Sequence, residues 1–116
     1  MSTAANLVIG LIALLHVWFL ILEMFLWTRP SGRRAFGTTA EFAEQSKALA
    51  ANQGLYNGFL ATGLVWGLVS GRTDVRVFFL VCVVVAGVYG TATVNKRILV
   101  VQAVPAALAL VAVALS

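Results

Sequence analysis

His16 and Glu23 are ionisable side chains set inside the apolar run ANLVIGLIALLHVWFLILEMFLW. In lipid such a group costs about 2.5–3.5 kcal/mol at a helix centre on insertion scales, and it is a functional candidate by default. Seven residues close nearly two helical turns, so both side chains share one helix face, about 10 Å apart along the axis. That is too far for a direct hydrogen bond but suits two groups that flank a ligand or join through other helices. A carboxyl and an imidazole so placed suit proton transfer, as in double-bond or keto–enol isomerisation. Glu23 would be the acid or base and His16 its counterpart. The plainer reading of His16 is a buried imidazole bonded to a backbone carbonyl or a tyrosine. For Glu23 it is a protonated carboxyl bonded across the bundle, or one reaching Arg29 or Arg33 by snorkelling.

The segment NQGLYNGF carries the densest set of partners. Asn52, Gln53, Tyr56 and Asn57 present hydrogen-bonding groups on adjacent turns, with Gln53 and Asn57 an i,i+4 pair. Depth, counted at about 1.5 Å per residue, puts Asn52, Gln53 and Gln102 level with Glu23, Tyr89 slightly deeper, and Asn57 between them and His16. These residues read as a ligand-binding layer, with Trp27 as an interfacial anchor at its edge. Gly54 with Gly58 and Gly63 with Gly67 form two GxxxG pairs that permit close helix approach, within the chain or in a homodimer. The plainer reading is that amides and glycines simply hold helices together.

Other chemistries find no support. One histidine and four acidic residues do not fill a zinc or di-iron site, and haem would need Met24 or a second subunit beside His16. Cys82 has no partner for a disulfide or CxxC motif. There is no glycine-rich phosphate loop and no nucleophile with a partnered base. The net charge of +4 is spread through loops, which fits membrane topology rather than nucleic acid. No metal and no cofactor are expected.

The elements that must position these residues are transmembrane helices. Of 116 residues 61% are hydrophobic and 10% charged, against about 45–50% and 25% in soluble domains. At roughly 20 residues per span the chain is one all-α domain, a four-transmembrane-helix bundle with helices at about 5–27, 39–69, 74–94 and 98–115. The N-terminus lacks the basic region of a cleaved signal, so the first helix reads as a signal anchor. The stretch TRPSGRR stops it. Thr38 and Glu41 form a capping-box pattern, so the second helix starts with a short amphipathic cytoplasmic extension, either straight or bent near Asn52-Gln53-Gly54. Ser70-Gly71 closes it, Thr73 can cap the third helix with Asp74 in its first turn, and Asn95-Lys96-Arg97 makes a tight turn. Arg29, Arg33, Arg34, Lys47, Lys96 and Arg97 stand in two connectors and only Arg72 and Arg76 on the other side. That asymmetry places the connectors inside and both termini outside.

With HVWFLILEMFLW, RRAFG, TAEFAEQ and ANQGLYNGFLATGL placed, the chain resembles a family of small bacterial and fungal predicted membrane proteins classed as a domain of unknown function. The shared pattern is H-x6-E-M-F-x-W, then F-G, then N-Q-G-x-Y-N-G-F-L-A. It maps to His16, Glu23, Met24, Trp27, Phe36, Gly37, Asn52, Gln53, Gly54, Tyr56, Asn57 and Gly58, and spans almost the whole chain. The resemblance implies four helices and the bacterial inner membrane, and brings no activity.

Three functions fit these residues. The first is binding of a small lipophilic ligand in a pocket open to the cytoplasmic side, with isomerase-like acid–base chemistry. The second is a small dimeric transporter or proton-coupled efflux module. The third is a structural or accessory membrane subunit. Residue types alone do not choose among them, nor decide whether the protein is an enzyme. The partners in common are the lipid bilayer, a lipophilic ligand and a second copy of the chain.

Overall fold

The computed structural model describes residues 2–94 and 96–116. Among them are five α-helices, one π-helical turn and no strand: α1 (Thr3–Met24), α2 (Pro30–Phe36), α3 (Ala40–Ser70), α4 (Thr73–Thr93), the π turn Leu99–Ala103, and α5 (Val104–Ala114). The all-α class is as expected. Two helices, α1 and α4, are long and apolar enough to cross a membrane; Leu99–Ala114 forms a shorter apolar stretch.

Helix α1 stops at Met24, a turn before Trp27, because the backbone widens there. The Leu26 N–H reaches back five residues to the Ile21 carbonyl (3.1 Å), and Arg29 N–H turns onto Leu26 (3.0 Å). The connector, expected only to break the helix, forms α2. Pro30 at its start has the right φ and needs no N–H partner. Gly32 is required, since a Cβ there would overlap the Leu26 carbonyl oxygen. Gly37, at φ 65°, ends α2 in the left-handed region, and Thr38 N–H closes onto Arg33 O (3.0 Å), the geometry of a Schellman cap.

That closure corrects the expected capping box. Thr38 is taken up in ending α2, so Thr39 caps α3, its hydroxyl accepting the Phe42 N–H (3.1 Å). Helix α3 then runs unbroken for 31 residues, without the bend considered near Gly54, and gives way to Gly71 at φ 71°. Thr73 is not the cap of α4 but its first helical residue. Asp74 supplies the acceptor instead, taking the Val75 N–H (2.9 Å) and pairing with Arg72 (2.7 Å). Of the turn expected at 95–97, Asn95 lies outside the described residues. The last helix opens as a π turn because Pro105 has no N–H to offer the carbonyl four residues back. A wider turn just before it accommodates the loss.

The chain divides into two compact units, one of residues 2–14 with Leu60–Ser116 and one of Leu15–Phe59, the division falling within α1 and α3. In the first, Ile9, Leu64, Leu80 and Val83 are fully buried, and Ala106, Ala109 and Val113 complete the core at helical spacing. Small residues let backbones meet: a Cβ on Gly87 would stand 2.7 Å from the Ala103 nitrogen. Ser2 N–H donates to Ser116 Oγ (3.2 Å), so both ends of the chain meet. Arg76, read from sequence as a loop charge, is only 5% exposed; its guanidinium donates to the Leu68 carbonyl (3.4 Å) near the end of α3, where a cation complements the helix dipole.

The Gly87 contact is directly testable. Gly87→Ala should destabilise the fold by about 1–3 kcal/mol through overpacking. Gly10→Ala, which meets nothing within 4 Å, should leave stability unchanged or raise it. Equal unfolding midpoints for Gly87→Ala and wild type in detergent would contradict this packing.

Candidate functional site

The buried face of the unit Leu15–Phe59 is written in helical periods. Along α1 it takes His16, Leu22 and Glu23; along α3 it takes Ala43, Ala50, Gly54 and Asn57. Gly54 and Gly58 bring the two backbones together. A Cβ on Gly54 would stand 2.6 Å from Met24 Cγ, 3.1 Å from Glu23 Cβ and 3.2 Å from the Leu20 carbonyl, and one on Gly58 would stand 2.8 Å from Leu20 Cδ1. This approach puts Asn57 within reach of Glu23. Its Nδ2 donates to Glu23 Oε1 in a buried bond, with both residues 8% exposed. A carboxyl taken from water needs such a donor, because an unpaired polar group in an apolar interior costs several kcal/mol.

His16 lies two turns earlier on α1, fully buried, its ring set edge-on to Phe19 with centroids 5.3 Å apart. An imidazole and a bonded carboxyl thus occupy one face of α1, as the seven-residue spacing predicts. Trp27 is also tied into this unit. Its Nε1–H donates to Ser46 Oγ (3.1 Å) and its ring packs on Phe36 with centroids 4.9 Å apart. Ser46 in turn donates to the Phe42 carbonyl (2.7 Å).

The remaining expected ligand-binding residues stand elsewhere. Asn52 and Gln53 are exposed, and Tyr56 is half-exposed with its ring near Phe59. The 3.6-residue period is the reason: Ala50, Gly54 and Asn57 take the buried stripe, and positions 52, 53 and 56 fall off it. Tyr89 on α4 and Gln102 in the π turn belong to the other unit, where Tyr89 is exposed and Gln102 partly buried. A crevice of about 400 Å³ in that unit is lined by Trp66, Asp74, Val75, Phe78 and Phe79, none of them expected from sequence as site residues. Arg72 rests over the Trp66 ring at 5.7 Å.

Both GxxxG pairs are filled from within the chain. Gly54 and Gly58 receive Leu20, Glu23 and Met24, Gly63 receives the Phe79 ring, and Gly67 receives Arg76. Among the described residues no group of three or more His, Cys, Asp or Glu side chains is gathered as metal ligands would be.

Residues 10–114, which include His16, Glu23 and Asn57, match the family described as "Protein of unknown function (DUF1304)". The "Uncharacterized protein YpaA" of Lactococcus lactis subsp. lactis (strain IL1403) is 31% identical to this chain over 105 residues, covering 87% of this chain and 88% of that protein. No solved structure matches the chain. With nearly its whole length matched, from the middle of α1 to the end of α5, the chain belongs to the DUF1304 family.

Proposed function

We propose that the protein is a multi-pass protein of the bacterial inner membrane that binds a small lipophilic ligand at the Glu23–Asn57 pair and exchanges a proton with it. The observation that carries this reading is the buried bond from Asn57 Nδ2 to Glu23 Oε1. The amide fixes one carboxyl oxygen, and the second bonds no side chain among the described residues. That second oxygen is the atom that gives or takes a proton. His16, buried two turns away on the same face of α1, is the second proton-exchanging group in this reading.

The surface supports the membrane part of the reading. Leu7, Leu11 and Leu14 on α1, Phe78 and Val85 on α4, and Leu108 on α5 are each more than 60% exposed, which water does not tolerate in such numbers and lipid does. The meeting of Ser2 with Ser116 favours an even number of crossings, as four spans require. With Arg76 buried, Arg72 is the one basic side chain left exposed between α3 and α4, which strengthens the charge asymmetry behind an outside location for both termini.

A structural reading has an observation of its own. Gly54 packs against the Glu23 stem, so the Glu23–Asn57 bond also locks α1 to α3 within this unit.

Two substitutions separate the readings. Wild type should copurify with a lipophilic compound, read by mass spectrometry; Glu23→Gln keeps an acceptor for the Asn57 amide, so its unfolding in detergent should shift by less than about 0.5 kcal/mol while that compound is lost. Asn57→Ala strips the donor from a buried carboxyl and should cost about 1–3 kcal/mol. An unchanged extract from Glu23→Gln would leave only the structural lock. Topology is tested separately with Cys82→Ser protein carrying one new cysteine. A membrane-impermeant maleimide added to intact cells should label Ser116→Cys and spare Ala35→Cys; the reverse pattern would invert the orientation.

A further inference from the structure

The connector between α1 and α3 is built more firmly than a charge signal for topology requires. Gly32 packs directly on the Leu26 backbone, Gly37 closes α2, and Trp27 is held at once by Ser46 and by the Phe36 ring. A topological signal needs only basic residues near a span end; it needs no fixed shape. On this scaffold stand Arg29, Arg33 and Arg34, within six residues of one another.

No side chain among the described residues pairs with any of the three, and Arg33 Nε is buried with no acceptor. The acids of this unit are committed elsewhere or outnumbered. Glu44 pairs with Lys47 and Glu23 takes Asn57, leaving Glu41 against three guanidiniums. Phe25, 66% exposed, and Phe36, 38% exposed, flank the cluster. Aromatic rings of this kind settle at the boundary between headgroups and acyl chains.

The missing acceptor must be anionic, must offer several oxygens to planar guanidinium forks, and must lie where phenyl rings meet lipid. A phosphate ester matches the fork bidentately, and only an amphiphile brings it to this depth. We propose that the α1–α3 connector is a binding site for the phosphate of an anionic phospholipid, held by Arg29, Arg33 and Arg34. This rests on the membrane reading given above and adds a lipid class to it. Arg33 is the central ligand by position, standing between Arg29 and Arg34 in the connector.

The test reconstitutes the full-length protein in nanodiscs of mixed phosphatidylglycerol and phosphatidylethanolamine and reads the retained lipid by native mass spectrometry. Wild type should keep phosphatidylglycerol preferentially, on the order of tenfold or more given three basic contacts near the surface. The triple variant R29Q/R33Q/R34Q should lose that preference. R29K/R33K/R34K keeps the topological charge and should fall clearly below wild type, because an ammonium has no fork. Added inorganic phosphate should not displace the lipid. Equal retention of both lipids by wild type would overturn the proposal, as would a lysine triple equal to wild type or lipid release by inorganic phosphate. Each of these leaves the protein in the bilayer. Failure of wild type to enter nanodiscs at all would instead remove the membrane reading on which the site depends.

Discussion

A carboxyl group buried among apolar helices must find a hydrogen-bond donor, and meeting that demand organises the unit around Glu23. The donor is the Asn57 amide, and it reaches Glu23 because Gly54 and Gly58 remove the side chains that would hold α3 away from Leu20 and Met24. A Cβ at Gly54 would widen the gap and leave the carboxyl unpaired, at a cost of the order of a hydrogen bond to a charged or strongly polar group. The glycines and the polar pair are therefore one device. One sets the helix spacing that the other needs.

The same use of small residues recurs in the other unit, with a different purpose. Gly87 lets α4 touch the backbone at Ala103, and Ala106, Ala109 and Val113 of α5 bury at every third or fourth position, so the core here is closed by backbone proximity rather than by bulk. The π turn fits this arrangement: Pro105 interrupts the hydrogen-bond ladder, and the chain widens over Leu99–Ala103, where Gly87 of α4 lies against Ala103. Arg76 shows how a charge can join such a core. Its stem covers Gly67 and its guanidinium reaches a carbonyl near the end of α3.

The charges divide by what they are bonded to. Arg72 with Asp74 and Lys47 with Glu44 are exposed pairs that contribute little to stability. Arg29, Arg33 and Arg34 are different, because a folded connector carries them with no side-chain partner among the described residues. Folding a seven-residue helix and a tight cap there costs conformational entropy, which a loose basic loop would avoid. The anionic-lipid site proposed above would offset that cost.

Much of this protein was legible in its sequence. The apolar composition determined an all-helical chain, the seven-residue spacing set His16 and Glu23 on one buried face of α1, and Ser70-Gly71 marked the end of α3. These are local or periodic properties, carried by residue type and the 3.6-residue turn. Tertiary structure decided what periodicity alone did not resolve among neighbouring polar residues. Of Asn52, Gln53, Tyr56 and Asn57, only Asn57 falls on the stripe that Gly54 pulls against α1, so it alone of the four is seen to bond Glu23. Tertiary structure also turned TRPSGRR from a break into a short helix, shifted the α3 cap from Thr38 to Thr39, and buried Arg76. Each of these depends on which backbone lies opposite, and a linear pattern does not encode that distance.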